Sequence, residues 1–309
     1  MKHTSSVILN ITCTFLLLSC HSQNNRDQLH YPNDDFEQRD NTILASKIKS
    51  VKSYSARINQ GVAADHPVMV SEKFYGPDGH QTKEYGYDPA GILSYREDLK
   101  YDNDGISWEQ ITYNVDNSIF GSLACRYDID KNEARYYDTR GGLDNPTLKQ
   151  SDRFNSHGWL IELTTYLSDD TINSQTRYIY NDLGRLIAEE FSKSHSSSYQ
   201  YDDAGHLIRR NFLDSLGKII SSDSAKFDDL GRLQEKNESY FGSRTVYIYN
   251  QNGSLLKETL YSGFDTNNEI FITTYEYNSR GNKIKETRFD ETTKKLIAIT
   301  TYEYEYYGN

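Results

Sequence analysis

Cysteine is nearly missing. Three occur in 309 residues, too few for the disulfide framework that staples small secreted folds. Cys13 and Cys20 sit close to the start, which leaves Cys125 alone in the body. Flanked by Ala124 and Arg126 in a strand-like run, it reads as a small buried side chain, not as a nucleophile. Proline is also scarce, at five residues, so the body is not a proline-rich disordered chain. Hydrophobic residues reach only 36%, which excludes a thick aliphatic core. Basic charge is short as well: 34 Lys and Arg are interleaved with 45 Asp and Glu, for a net charge of -11. Nucleic-acid binding needs clustered cations. That class drops out, and a solvated acidic surface remains.

Catalytic constellations are missing too. No Cys-x-x-Cys, no Gly-x-Ser-x-Gly elbow and no phosphate loop occurs. None of the eight histidines pairs at metal-ligand spacing. Asp102 to Gly105 and Asp128 to Asn132 echo calcium loops but lack the late bidentate glutamate. The sequence therefore points to no cofactor, no metal and no enzyme. A glycan hydrolase is the least favoured class.

What is abundant is tyrosine, with 26 residues against 12 Phe and 2 Trp. Tyr buries a large ring while its hydroxyl stays wet, which suits half-exposed sheet faces. A phrase built on it recurs: an aromatic, Asp or Asn, two variable residues, then Gly. The nine copies carry Asp88 and Gly91, Asp102 and Gly105, Asp138 and Gly141, Asn155 and Gly158, Asn181 and Gly184, Asp202 and Gly205, Asp228 and Gly231, Asn250 and Gly253, and Asn278 and Gly281. A weaker copy at Tyr113 to Asn117 has Asn in the glycine place. The chemistry is that of a tight reversal. The Asp or Asn side chain accepts hydrogen bonds from backbone amides just ahead, and Gly takes positive φ without steric cost. A type I turn followed by such a glycine joins two antiparallel strands with a local bulge.

The flanks alternate with period two, as in Tyr178-Ile179-Tyr180 and Tyr247-Ile248-Tyr249 before the turn and Leu255-Leu256-Lys257-Glu258 after it. Alternation puts the Tyr pair on one face of a strand. From Phe154 onward the spacing leaves room for two strands and a second, variable turn. Those turns are read at Lys193–Ser196, Asp214–Gly217, Phe241–Ser243, Gly263–Asn268 and Asp290–Lys294. Strict turns should line one edge and variable turns the other. The motifs at Tyr87 and Tyr101 stand too close together to share an edge. The expected fold is all-β over residues 43–309: an elongated antiparallel up-and-down meander of tyrosine-rich hairpins, in one twisted or curled sheet. Its last strand, Ile297 to Tyr307, is expected at an open edge, where a partner strand could dock.

Residues 1–19 read as an address. Met1-Lys2-His3 is a short positive start, and Val7 to Leu18 is mostly apolar but short for a bilayer span. Residues 20–42 are polar, a tether composition that reaches roughly 25 Å when flexible. Leu17-Leu18-Ser19-Cys20 resembles the bacterial lipobox. That resemblance implies cleavage after Ser19, lipid on Cys20, and a membrane-anchored envelope protein, with the outer membrane as the expected location.

Tyr178-Ile179-Tyr180-Asn181-Asp182-Leu183-Gly184-Arg185-Leu186-Ile187 resembles the YD repeat of RHS-type proteins, and Tyr201 to Leu207 and Phe227 to Leu233 are similar. The resemblance covers roughly residues 70–300. It implies an extracytoplasmic hairpin array of the kind described as carbohydrate-binding or as a scaffold. Large members coil around a toxic C-terminal domain; here the repeats run on to Tyr307. The resulting expectation is a non-catalytic module that binds a glycan or an envelope protein. The alternative is a structural or immunity-type protein that sequesters an envelope or toxin partner. Trp108 and Trp159, each close behind a turn glycine, are candidate platforms for a stacked ligand.

Overall fold

The computed structural model describes residues 47–308, apart from residues 57, 60–61, 64–65, 103–106, 141–145, 168–169, 193–194 and 263–268. The address segment, Cys20, the tether, Gly105, Gly141 and the turn at 263–268 lie outside the described residues.

Every described element is a strand. The first is β1 (Ile48–Ala56), followed by the two-residue pair β2 (Ile58–Asn59) and β3 (Val62–Ala63). Then come β4 (Val68–Tyr75), β5 (Gln81–Tyr87), β6 (Leu93–Tyr101), β7 (Trp108–Asn114), β8 (Ile119–Asp128) and β9 (Glu133–Asp138). The middle holds β10 (Thr147–Phe154), β11 (Leu160–Tyr166), β12 (Ile172–Tyr180), β13 (Leu186–Phe191), β14 (Ser196–Tyr201), β15 (Leu207–Leu213) and β16 (Ile219–Phe227). The chain ends with β17 (Leu233–Glu238), β18 (Ser243–Tyr249), β19 (Leu255–Ser262), β20 (Glu269–Tyr277), β21 (Lys283–Asp290) and β22 (Lys295–Tyr306).

The strict turns reverse the chain as their chemistry requires. At Asn181 the backbone N–H donates to the Arg185 carbonyl and the Gly184 N–H donates to the Asn181 carbonyl, both at 3.0 Å. The Asn181 side-chain oxygen accepts from the Leu183 and Arg185 amides, also at 3.0 Å. Asp88, Asn155, Asp228, Asn250 and Asn278 repeat the backbone pair. Gly184 sits at φ 74° and Gly231 at φ 75°, a region that costs L-residues about 1–2 kcal/mol. Asn117, in the weaker copy, takes φ 62°. Two further turns have the same bonds without the full phrase, at Gly76 to Gly79 and at Asp214 to Gly217. Asp102 opens a turn one residue longer, since its N–H reaches the Ser107 carbonyl.

Consecutive strands from β4 to β22 pair antiparallel in chain order, but the sheet does not stay open. β22 pairs with β1, and β1 pairs with β4. Twenty strands therefore close into one antiparallel barrel. The open meander expected from the hairpin pattern is corrected here, and so is the free edge at Ile297 to Tyr307. Thr300 faces Ser55, Tyr302 faces Ser53 and Tyr304 faces Val51 across the seam. An unpaired edge of this length leaves a row of unsatisfied backbone groups. The Ser- and Lys-rich β1, which carries no repeat phrase, satisfies two such rows at once.

Register separates two faces. Tyr178, Tyr180, Tyr199, Tyr201, Tyr247 and Tyr249 share one face with Leu186, Leu207, Leu233 and Leu255. Most of the buried apolar side chains lie there, Leu160 at 1% exposure among them. The other face carries directly opposed ion pairs: Lys226–Glu235, Lys285–Glu276 and Arg153–Glu162. Side chains crowd on the concave side of a closed sheet, so the tyrosine face is the inner one. At a strand spacing of about 4.8 Å and the usual tilt, twenty strands give a perimeter of roughly 125 Å. Eight-stranded barrels fill themselves with side chains, whereas wider ones enclose space. Accordingly the buried apolar clusters run sideways along β8–β12 and along β13–β19, strand to neighbouring strand. The barrel is a sleeve with a packed inner lining.

Candidate functional site: a pocket at the variable rim

Up-and-down topology gives the sleeve two rims. The repeat rim holds the turns that leave even-numbered strands from β4 to β20, together with the start of β1 and the end of β22. Most strict turns sit there. The variable rim holds the remaining turns, including those at Asp88 and Asp138, as the short gap between Tyr87 and Tyr101 required.

Side chains of the repeat rim are spent on one another. At several turns the residue after the glycine lies beside the aromatic of the next turn on that rim. Trp159 lies 5.4 Å from Tyr180, His206 stacks on Phe227 at 4.6 Å, and Arg232 covers Tyr249 at 5.0 Å. His80 stacks on Tyr101 at 4.7 Å in the same relation. The tyrosine hydroxyls then reach back to the preceding strand. Tyr180 donates to the Leu160 carbonyl at 2.8 Å, Tyr201 to Leu186 at 2.9 Å and Tyr249 to Leu233 at 2.8 Å. Burial raises the Tyr180 phenol above its ordinary range, so it stays a protonated donor. Tyr307 carries the ladder across the seam by donating to the Tyr75 carbonyl. Burial pushes the Tyr75 phenol itself up to about 12.

This ladder accounts for Trp159, and the inner lining for Trp108. Trp159 is sandwiched by His157 at 5.0 Å and Tyr180, and it fills the space over Gly184. Trp108 lies on the inner lining beside Tyr136 at 6.3 Å, against the buried cluster around Cys125 and Leu160. Both indoles are half-buried. Cys125 is buried. Among the described residues no three His, Cys, Asp or Glu side chains converge as metal ligands.

An open concavity lies at the variable rim between β13 and β18. A pocket of about 470 Å³ is walled by Phe191, Phe212, Ile220, Tyr240 and Phe241. Its floor holds Ser197, Ser221, Arg210 and Asp223. Asp223 is 3% exposed and organises the site. It accepts from the Arg210 guanidinium at 2.8 Å and from the Ser239 amide and hydroxyl at 2.8 and 3.1 Å. Buried carboxylates persist when paired and hydrogen-bonded in this way. The bonds to Ser239 clamp the β17–β18 turn to β16, and the turn closes through Gly242 at φ 57°. Tyr240 and Phe241 are thereby held out at 86% and 72% exposure, edge to face at 5.0 Å. The Arg210 guanidinium also sits over the Phe212 ring at 4.9 Å, so its charge is flanked by a ring and by Asp223.

Sequence reading missed this site because its lining comes from five strands and two turns. One signal was available: Tyr240-Phe241 places two adjacent aromatics in a turn, where nothing local needs them.

A second polar feature lies on the inner lining. Glu84 and Glu97 stand directly opposite on β5 and β6. Burial first, and the Glu84 charge second, raise the Glu97 carboxyl above its ordinary range. Tyr95 donates to Glu84 at 3.0 Å and Thr112 donates to Glu97 at 3.1 Å.

No family model and no curated protein matches this chain. Among solved structures it is similar to TcdB2-TccC3 without its hypervariable C-terminal region, with 13% identity and a TM-score of 0.37 over 75% of this chain and 15% of that one. The Photorhabdus luminescens Tc holotoxin pore gives 12% identity and a TM-score of 0.34, over 81% of this chain and 18% of that one. A porin-like protein from Bacteroides uniformis gives 12% identity and a TM-score of 0.35, over 84% of this chain and 98% of that one. The chain thus spans less than a fifth of the two toxin chains.

Proposed function

We propose that this protein is a lipid-anchored, non-catalytic binding barrel of the bacterial cell envelope, and that its ligand is another protein gripped at the variable rim. The anchor rests on the Leu17-Leu18-Ser19-Cys20 pattern behind a short apolar run. The outer face supports a sleeve standing in water. A lysine or arginine facing lipid at mid-membrane costs about 2–4 kcal/mol, and opposed Lys–Glu and Arg–Glu pairs line that face.

The observation that carries the binding reading is the pocket with Tyr240 and Phe241 held out beside it. Clustered exposed aromatics mark interaction sites, and aromatic anchors in small pockets dominate protein interfaces. A sugar would need several polar partners around its hydroxyls. Here the charged floor groups already bond one another and the turn, and the walls are apolar. A hydrophobic side chain fits that chemistry better than a glycan does.

Photo-crosslinking in producing cells, run beside a glycan array, tests the proposal. Wild-type protein should crosslink to one envelope protein, Tyr240→Ala with Phe241→Ala should lose it, and the array should stay blank. A glycan hit that depends on the same two rings would overturn the choice of ligand. Cys20→Ala should move the protein from the membrane to the soluble fraction; unchanged fractionation would remove the anchor from the proposal.

A further inference from the structure

Apolar exposure runs round the whole variable rim and is not confined to the pocket. Ile92 is exposed at the β5–β6 turn, Phe120 at β7–β8, Leu167 at β11–β12, Leu216 at β15–β16, and Tyr240 with Phe241 at β17–β18. Leu216 reaches 90% exposure at its tip. In the turns of the repeat rim only Ile129, Leu183 and Leu230 are comparably exposed among the described residues. A single protein segment would cover one arc of this ring and leave the rest in water. A partner that covers all of it must itself be a ring of the same radius.

Resting on the binding reading above, which it extends by naming the partner, we infer that the variable rim docks against the variable rim of a second copy of this chain, in a reversible two-fold dimer. The area suffices. A sheet with its side chains is about 10 Å thick, so a rim of roughly 125 Å offers about 1,200 Å² per copy and about 2,400 Å² for the pair. A standard stable interface buries about 1,600 Å², which contact over about two thirds of the ring supplies. A two-fold contact also requires one patch to carry both a knob and a hole. Here the Tyr240-Phe241 tip stands out beside a pocket of about 470 Å³.

Strand order then fixes the register. An axis passing over β16 and β17 on one side of the ring passes over β6 and β7 on the other. It sets the Tyr240-Phe241 tip of each copy against the Leu216 turn and pocket of its mate. The same axis brings the Ile92 turn to the Phe120 turn, and the Leu167 turn to the β21–β22 turn with its exposed Ile297. Apolar tip thus meets apolar tip at each of these places. The pocket floor is charge-balanced, with Asp223 paired to Arg210 and Glu238 to Lys236. Acids of facing turns approach one another, Asp88 toward Asp116 and Asp290 toward Asp170, and each copy carries a net charge of -11. Salt screens that repulsion, so this dimer tightens as salt rises.

Sedimentation velocity of the full-length protein in density-matched detergent micelles, over a dilution series, tests the inference. Wild type should pass from monomer to dimer with concentration, more readily at high salt. Tyr240→Ala with Phe241→Ala should raise the dissociation constant about tenfold or more. Phe120→Glu, on the far side of the ring from the pocket, should do the same, and Leu230→Glu on the repeat rim should change nothing. In producing cells, a Leu216→Cys copy and a Tyr240→Cys copy with different tags should be joined by a short bismaleimide. A monomer at every concentration, with Tyr240-dependent photo-crosslinking to a different envelope protein intact, would overturn the second copy and leave the binding reading standing. A dimer weakened by the pocket pair but not by Phe120→Glu would overturn the ring-on-ring contact. If the pocket pair alters neither the dimer nor the photo-crosslink, both readings fall. A monomer whose Cys20→Ala form floats with phosphatidylethanolamine vesicles, and stops doing so with Phe120→Glu, would put a lipid surface in place of the second copy.

Discussion

Removing the tyrosine hydroxyls of the repeat rim should loosen the barrel by an amount that can be worked out bond by bond. Tyr180, Tyr201 and Tyr249 each donate to a leucine carbonyl on the preceding strand, at 2.8, 2.9 and 2.8 Å. Tyr→Phe keeps the ring and deletes only that bond. A typical intramolecular hydrogen bond is worth about 0.5–1.5 kcal/mol net, so each single variant should lose about 1 kcal/mol. The three bonds share no partner, and additivity is expected for such sites. The triple variant should therefore lose about 2–4 kcal/mol, a large part of the 5–15 kcal/mol typical of a folded domain. Phe227 occupies the equivalent place without a hydroxyl and stacks on His206 at 4.6 Å. Phe227→Tyr should accordingly add a rung and stabilise by up to about 1 kcal/mol. Equilibrium urea unfolding followed by far-UV circular dichroism reads the midpoint and slope; the midpoint should move while the slope holds. A triple variant within about 0.5 kcal/mol of wild type would show that water replaces these bonds at no loss, and the ladder would not be what ties one hairpin to the next.

Three further outcomes are expected. Gly253→Ala meets open space at φ 87° and should cost only the backbone strain of about 1 kcal/mol, whereas Gly231→Ala, whose new Cβ would stand 2.8 Å from His206 Nε2, should cost measurably more in the same urea assay; equal losses would refute the close approach of neighbouring turns. Glu97→Gln should raise the melting temperature at pH 7.5: because the folded carboxyl sits above its ordinary value near 4.5, the ionised form weakens the fold as pH rises through that range, and the gain should vanish near pH 4; a gain independent of pH would refute the cause. Deleting residues 47–56 should leave β22 and β4 unpaired and turn a monomer into concentration-dependent aggregates by light scattering; a soluble monomer would show that closure is dispensable.

Turns were legible in the sequence because their chemistry is local. An Asp or Asn followed three residues on by Gly brings together its own donors and acceptors, and Asn117 at φ 62° shows the logic holding for the weaker copy. Gly76 to Gly79 and Asp214 to Gly217 bend the same way although one or more letters of the phrase are missing. Closure was not legible, because nothing local in Ile48–Ala56 says whom it will join. Its partners lie in β4 just ahead and in β22 at the far end of the chain. Whether a meander closes depends on strand number and twist summed over the whole sheet. The pocket failed for a related reason: Asp223 and Ser239 meet only because β16, β17 and the following turn are in register. The neighbours of Trp159 were not legible either, because the position after a turn glycine is exposed within a single hairpin. It is covered only when the next hairpin lies alongside, as Tyr180 covers Trp159.

That covering explains why the candidate site sits where it does. On the repeat rim several turns are bonded to their successors: Trp159, Arg185, His206 and Arg232 each touch the next aromatic, and the Tyr180, Tyr201 and Tyr249 hydroxyls reach back to the previous leucine. Changing a side chain there to hold a ligand would break two rungs at once. Turns of the variable rim are held by their own backbone bonds, as at Asp214 and Gly217, and by one or two bonds to a neighbouring strand, as Ser192 and Glu291 donate to the Gln175 and Ile270 carbonyls and Asp223 holds Ser239. Their tips can therefore carry Leu216, Tyr240 or Phe241 without loosening any neighbouring hairpin. The fold divides its two ends by how far each substitution propagates. The end where substitutions stay local is the one that displays an exposed apolar surface.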